Sequence, residues 1–158
     1  MKVSNLTWKI GGEAGYGIMS TGAIFSKIFT KKGYFVIDSN EYPSLIRGGH
    51  NTYTVRVSSN QIFSINKDIN VLVALNEETI SLHQEEVTYG GYIIYDGNVC
   101  DIKELKKARK DINYIKIPFS KIISELGAPK VMINNISLGV SVALLNYDLE
   151  ILKSVIKE

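Results

Sequence analysis

The sequence is poor in the residues that carry redox and metal chemistry. Its 158 residues include one cysteine, Cys100, and two histidines, His50 and His83. A single thiol forms no internal disulfide, and an iron–sulfur cluster takes about four cysteine ligands, so we expect any cluster to lie on another chain. Two isolated histidines give no reason to expect a protein-only metal site. We expect Cys100 to be a half-buried thiol and not a nucleophile.

Long apolar runs and a strong charge of either sign are also missing. A spanning helix needs about 20 apolar residues in succession, and no such run occurs. The opening stretch, MKVSNLTWKIGGEAGYG, lacks the apolar core and the small-residue cleavage site of a signal peptide. The formal net charge of +2 gives no electrostatic reason to expect nucleic acid or a membrane as a partner. We therefore expect a cytoplasmic protein.

What is present is a succession of strand and helix patterns. The chain has no repeat or linker, so we expect a single domain over residues 1–158. Strands separated by helices predict a three-layer α/β/α fold with a mostly parallel, Rossmann-like sheet. Residues 51–58 alternate in polarity and the apolar stretch 62–65 follows a turn, which predicts an antiparallel hairpin. The stretches that favour strands are 6–10, 34–38, 51–58, 62–65, 70–75, 90–97 and 113–118.

The predicted helices differ in their faces. The first follows the glycine-rich stretch and carries Ile18, Gly22, Phe25 and Phe29 on one stripe. The segment 135–146 is apolar nearly all round, which predicts a buried or interface helix. Its small residues Gly139 and Ala143, four apart, would let another backbone approach closely. Side-chain N-caps are predicted at Asn76 and Asp148 for two other helices.

A glycine-rich stretch, 11–17, lies between the first strand and the first helix. Such a turn favours an anion site, because the unpaired N–H groups of a helix start point outward and the helix dipole attracts negative charge. Asp38 follows about 20 residues on, as in a dinucleotide-binding unit. However, Gly12, Gly15 and Gly17 do not follow the G-x-G-x-x-G order. A dinucleotide site, a tight structural turn, and a loop contacting a phosphate-bearing ligand or a partner backbone all remain open.

The stretch Arg47-Gly48-Gly49-His50 stands directly before an alternating strand. His50 as a catalytic acid or base would need an orienting partner and a pocket, and the sequence shows neither. The glycines would also suit a plain turn with solvated charges. We favour a presented loop that docks elsewhere, in which the planar fork of Arg47 binds a carboxylate or a phosphate.

Two stretches together carry a resemblance to a known family. GGEAGYGIMSTGAIFSKIFTKKGYFV and EYPSLIRGGHNTYTVRVS resemble the gamma subunit, or gamma domain, of the 2-oxoacid:ferredoxin (acceptor) oxidoreductases, which include the pyruvate and 2-oxoglutarate enzymes. APKVMINNISLGVSVALL is similar to the C-terminal helix of that family. These stretches look most like the gamma domain fused to the alpha subunit of 2-oxoglutarate-type enzymes.

Two features depart from the family pattern. Many members have Gly-Gly-Gln-Gly where this chain has Ala14-Gly15-Tyr16-Gly17, so a side-chain amide contact at that point is lost here. The sequence also stops at SVIKE, where fused relatives continue into a thiamine diphosphate domain. A free-standing subunit, a truncated homologue and an excised domain all fit this end.

The resemblance implies a role in an enzyme complex that decarboxylates a 2-oxoacid, makes an acyl-CoA and passes electrons to ferredoxin. Thiamine diphosphate and iron–sulfur clusters are then expected on the alpha and beta partner subunits. It also implies that this chain docks to them, contributes to coenzyme A (CoA) handling and is inactive alone. The residues expected to contact CoA are Gly12, Gly15, Gly17, Arg47, Gly48, Gly49 and His50, with no catalytic residue and no metal ligand among them. A stand-alone nucleotide-binding module and a purely structural subunit are the alternatives.

Overall fold

The computed structural model describes residues 4–42, 49–100 and 108–157. Within these ranges, six strands form one mixed sheet and five α-helices pack on it. The strands are β1 Asn5–Glu13, β2 Phe35–Glu41, β3 His50–Ser58, β4 Ile69–Ala74, β5 Val87–Asp96 and β6 Asn113–Ile117. The helices are α1 Ile18–Thr30, α2 Glu77–His83, α3 Phe119–Glu125, α4 Ile133–Leu144 and α5 Leu149–Ile156.

The strand order across the sheet is β2-β3-β1-β4-β5-β6. The ladders from β1 through β4 and β5 to β6 are parallel. Strand β3 runs antiparallel to both of its neighbours, β1 and β2. The predicted α/β class, with a mostly parallel sheet and an antiparallel part, is confirmed. The order differs from a dinucleotide-binding unit, because β3 separates β1 from the strand that follows α1.

The predicted partner of β3 is wrong. Residues 62–65 form no strand, and Phe63 is 83% exposed. The antiparallel partners are β1 and β2, so both edges of β3 already have their hydrogen-bonding neighbours. A short apolar stretch after β3 therefore has no edge left on which to pair.

The two faces of the sheet bury two separate cores. The larger core contains Trp8 of β1 and Phe25 of α1, whose rings stack with centroids 4.2 Å apart. Helices α1, α3, α4 and α5 contribute to this core. The smaller core lies on the opposite face and contains Ile80 of α2 together with Leu72 and Ile93. These helices on both faces complete the three layers.

The helix predictions hold in most particulars. Asn76 and Asp148 cap α2 and α5, accepting hydrogen bonds from the backbone N–H groups of Thr79 and Glu150. Helix α4 covers most of the segment predicted to be buried, but its inner face includes the fully buried hydroxyls of Ser137 and Ser141. No helix among the described residues has both the length and the apolar character to cross a membrane.

Candidate functional site

The glycine-rich stretch is shorter as a loop than the sequence predicts. Strand β1 continues to Glu13, so Gly11 and Gly12 are strand residues paired with Thr52 and Asn51 of β3. A Cβ atom at Gly12 would lie 3.0 Å from Leu75 Cβ. The absence of a side chain at Gly12 therefore lets β1 pack against the end of β4, and only 14–17 form the loop.

Gly15 and Gly17 shape the loop before α1. Their φ angles are 95° and 70°, in the left-handed region that favours glycine. Gly17 is the N-cap of α1, and no side chain caps this helix. The first N–H groups of α1 therefore have neither an intrahelical nor a side-chain acceptor. A shallow pocket over this helix start is lined by Glu13, Gly15, Gly17, Ile18, Met19 and Asn51.

The second predicted segment reaches the same end of the sheet. His50 is the Cα partner of Glu13 in the β1–β3 ladder, and Gly49 precedes it with a φ of 96°. Arg47 and Gly48 lie outside the described residues. The fold therefore brings Gly15, Gly17, Gly49 and His50 to one edge of the sheet, where β1 ends and β3 begins.

The alternation of β3 sends the two groups to opposite faces at this edge. Asn51 lines the pocket at the start of α1, on the same face as Tyr53 of the larger core. The side chain of His50 lies on the other face, beside α2. The glycine loop and His50 thus lie at the same end of the strands, but they face opposite sides of the sheet.

His50 belongs to a polar group that we call the histidine cluster, consisting of Lys9, His50, His83 and Glu86. Nε2 of His50 lies 2.8 Å from Nε2 of His83. Nδ1 of His83 lies 2.8 Å from Glu86 Oε1. Lys9 Nζ forms an ion pair with the other carboxylate oxygen of Glu86 at 2.6 Å. Four elements that are distant in sequence thus meet in one continuous network.

The surroundings of the cluster shift the pKa values of two members. Burial, and next the neighbouring His83, lower the pKa of His50 below its ordinary value of 6.5. Burial alone would raise the pKa of Glu86, but hydrogen bonds from Lys9 and His83 lower it overall. At neutral pH, His50 is therefore a neutral imidazole and Glu86 is an ionised carboxylate.

Asp38 does not occupy the position of a ribose-binding acid. Its carboxylate accepts a hydrogen bond from Ser26 Oγ at 2.8 Å. It also hydrogen-bonds Tyr53, and burial together with this bond raises the pKa of Tyr53 to about 12. Strand β2, which carries Asp38, is one strand removed from β1. Asp38 thus joins α1 to the sheet, and the dinucleotide interpretation loses its acidic residue.

The other chemically reactive residues give no further site. Cys100 is buried, and burial raises the pKa of its thiol to about 11. The raised pKa keeps Cys100 in its protonated, unreactive form at neutral pH, so Cys100 is not a candidate nucleophile. Over the described parts of the chain, no group of three or more His, Cys, Asp or Glu side chains is arranged to hold a metal ion.

Sequence reasoning missed two neighbours of the loop and one of His50. Asn134 of α4 donates from Nδ2 to the carbonyl oxygen of Gly17 at 3.5 Å. Lys130 Nζ lies 5.0 Å from the centroid of the Tyr16 ring, in a cation–π contact. His83, which is isolated in the sequence, contacts His50. Only tertiary packing joins these residues, and no local sequence pattern indicates it.

Comparison with protein families gives one match over nearly the whole chain. A family model described as pyruvate ferredoxin/flavodoxin oxidoreductase matches residues 7–158. The chain is 30% identical over 154 residues to the alpha subunit of 2-oxoacid:ferredoxin oxidoreductase from Saccharolobus solfataricus, covering 95% of this chain and 24% of that subunit. The chain spans about a quarter or less of the length of the curated alpha subunits that it matches.

Two solved structures share the fold. A 2-oxoglutarate:ferredoxin oxidoreductase from Magnetococcus marinus, with 2-oxoglutarate, coenzyme A and succinyl-CoA bound, is 25% identical with a TM-score of 0.87, covering 98% of this chain and 27% of that chain. The gamma subunit of a keto/oxoacid ferredoxin oxidoreductase from Geobacter sulfurreducens PCA has a TM-score of 0.79 at 18% identity, covering 98% of this chain and 84% of that one.

Proposed function

The chain belongs to the pyruvate ferredoxin/flavodoxin oxidoreductase family, and from this we propose that it is the gamma component of a 2-oxoacid:ferredoxin oxidoreductase complex. The complex would decarboxylate a 2-oxoacid oxidatively, form its acyl-CoA and pass the electrons to ferredoxin. The observation that carries the proposal is the match of the family model over residues 7–158, together with the structural likeness to a 2-oxoglutarate:ferredoxin oxidoreductase. The stand-alone nucleotide-binding module is disfavoured because Asp38 is engaged elsewhere.

The thiamine diphosphate and the iron–sulfur clusters of this reaction belong, in our proposal, to the alpha and beta partner subunits. Thiamine diphosphate would supply the chemistry of decarboxylation, and the clusters would accept the electrons. The one cysteine of this chain, Cys100, is buried and has a raised pKa, and a single thiol cannot supply the roughly four ligands of a cluster. We further propose that the complex is cytoplasmic and that residues 1–158 act as one gamma-type domain.

The contribution of this chain to CoA handling would lie at the glycine loop. CoA carries a diphosphate, and a helix N-terminus without a side-chain cap offers N–H donors and a favourable dipole to such an anion. Gly15 has open space where a Cβ would lie, so a ligand can approach its backbone. Lys130, at the neighbouring opening beside Tyr16, supplies a cation. Arg47, outside the described residues, remains a predicted second cation.

The site is tested by placing a charge in the first turn of α1. Met19 is partly exposed and lines the pocket with Gly15 and Gly17. Met19→Glu should leave the fold intact, because an acidic residue suits the start of a helix, but it should repel a bound phosphate. We expect the CoA affinity of the assembled complex, measured by calorimetric titration, to fall at least about tenfold, equivalent to about 1.4 kcal/mol.

Met19→Gln is the matched control, because glutamine has nearly the same shape as glutamate without the charge. It should retain CoA affinity within about twofold, or about 0.4 kcal/mol. Equal CoA affinity in wild type, Met19→Glu and Met19→Gln would remove the loop from the CoA site. If the wild-type complex itself bound no CoA, the purely structural subunit would become the better description.

A further inference from the structure

The hydrogen-bond distances of the histidine cluster restrict the tautomers of its two rings. The Glu86 carboxylate is ion-paired with Lys9 and can only accept hydrogen bonds. His83 Nδ1, 2.8 Å from Glu86 Oε1, must therefore carry the hydrogen that occupies this contact. With one N–H on each ring, Nε2 of His83 is left as an acceptor.

The donor and acceptor nitrogens of His50 are assigned in the same way. Its Nε2 lies 2.8 Å from the acceptor nitrogen of His83, so Nε2 of His50 is the donor. Nδ1 of His50 then has a lone pair and no hydrogen. This atom is shielded from solvent, and among the described residues it has no hydrogen-bond partner. A buried acceptor without a donor is unfavourable, and a ligand that brings a donor would remove this cost.

We propose that Glu86 and His83 are positioning residues that hold His50 in the Nε2–H tautomer, so that His50 Nδ1 is a fixed acceptor for a hydrogen-bond donor on the bound ligand. The identity of that ligand rests on the proposed function; CoA provides such donors in its amide N–H groups and its thiol. A phosphate at neutral pH is mainly an acceptor, so His50 would not bind one. The phosphates of the ligand would instead lie at the start of α1, so the ligand would pass over the ends of the strands from one face of the sheet to the other.

Because Lys9 lies close to both Glu86 and His83, the tautomers of the two histidines depend on the charge of Glu86. Its Nζ lies 3.5 Å from His83 Nδ1 and 2.6 Å from Glu86 Oε2. With Glu86 ionised, Lys9 donates to the carboxylate and His83 Nδ1 keeps its hydrogen. Without that charge, Lys9 is free to donate to His83 Nδ1. The hydrogens would then reverse along the pair, giving His83 Nε2–H and His50 Nδ1–H.

The tautomers can be read from the ring ¹⁵N resonances of the two histidines in the 158-residue chain at neutral pH. In the wild type we expect His50 Nδ1 to show the shift of an unprotonated nitrogen and Nε2 that of a protonated one. Glu86→Gln should reverse the two. Lys9→Met should keep the wild-type pattern, because it removes the competing donor. Glu85→Gln, an identical change at an exposed neighbour, is the control and should also keep it.

A protonated His50 Nδ1 in the wild type would overturn the proposal, as would a folded Glu86→Gln variant with unchanged His50 resonances. If Glu86→Gln does not fold, the ring resonances of His50 in the wild type and in Lys9→Met test the proposal by themselves.

Titration with inorganic phosphate tests the ligand preference separately. The amide resonances of residues 15–19 should shift, while those of the His50 ring should not. A shift of the His50 ring through direct phosphate binding would contradict the proposal. Unmoved amides at 15–19 with the expected tautomer would count against the proposed CoA site alone.

Discussion

A single hydrogen bond shows how one residue can join distant parts of this fold. The indole N–H of Trp8, fully buried in β1, donates to Ser141 Oγ of α4 at 3.0 Å. The Ser141 hydroxyl in turn donates to the carbonyl oxygen of Ser137 at 2.8 Å. A helix that is apolar nearly all round thus requires a serine on its inner face, because an indole N–H without a partner is costly in a core.

Ser141→Ala is expected to destabilise the chain by about 1–3 kcal/mol, because it leaves the Trp8 N–H unsatisfied in the core. Chemical denaturation monitored by tryptophan fluorescence measures this directly, since Trp8 is the single tryptophan. Ser154→Ala is the control: Ser154 makes the same kind of bond, to the Ile151 carbonyl, on an exposed helix surface. It should change the free energy of unfolding by less than about 0.5 kcal/mol.

At the scale of the elements, the packing of α1 on β3 depends on a glycine. The Tyr53 ring lies against Gly22 so closely that a Cβ there would be 2.1 Å from Tyr53 Cδ1. The phenolic hydroxyl of Tyr53 hydrogen-bonds Asp38 of β2. Gly22 lies on the apolar stripe of α1, and it also sets the distance between this helix and the sheet beside the candidate site.

Gly22→Ala should destabilise the chain by about 1–3 kcal/mol through overpacking, despite the better helix propensity of alanine. Gly139→Ala in α4 is the matched comparison, because open space lies where its Cβ would be. That variant should be neutral or more stable by up to about 1 kcal/mol. Thermal denaturation of both variants tests the pair, and equal effects would show that the contact with Tyr53 does not limit packing.

At the scale of the whole molecule, α4 has a face that the described residues leave uncovered. No described atom lies within 4 Å of the position that a Cβ at Gly139 would take, and Ala143 on the same face is exposed. Val140 and Ile136 beside them are only partly buried. The close approach that these small residues permit is therefore not used within this chain. In the proposed complex, this face would pack on a partner subunit.

We expect the purified chain to show no 2-oxoacid-dependent dye reduction, and activity to appear only when the alpha and beta subunits are co-expressed with it. Dye reduction by the chain alone at the rate of the complex would refute the accessory role.

Gly139→Trp should keep the folded chain intact, since its side chain points into open space, but should prevent co-purification with the partners. Normal assembly of Gly139→Trp would place the interface elsewhere.

Much of the fold could be predicted because its signals are local. The apolar stripe through Ile18, Phe25 and Phe29 gives α1, and the N-caps Asn76 and Asp148 give the starts of α2 and α5. The continuous apolar run of β4 indicates a strand buried on both faces. The family resemblance, carried by the glycine-rich stretch and the Arg-Gly-Gly-His motif, is likewise a property of neighbouring residues, and the family match confirms it.

The sequence by itself determined the class of fold, the family and the position of the glycine loop, because helix and strand periods and turn residues act over a few positions. Only the tertiary structure decided that β3 lies between β1 and β2, that Gly12 is a strand residue, and that His50 contacts His83. Those outcomes depend on which strand edges find a partner and which side chains meet across the sheet. Hydrogen bonding between residues more than 30 positions apart leaves no periodic trace in a single sequence.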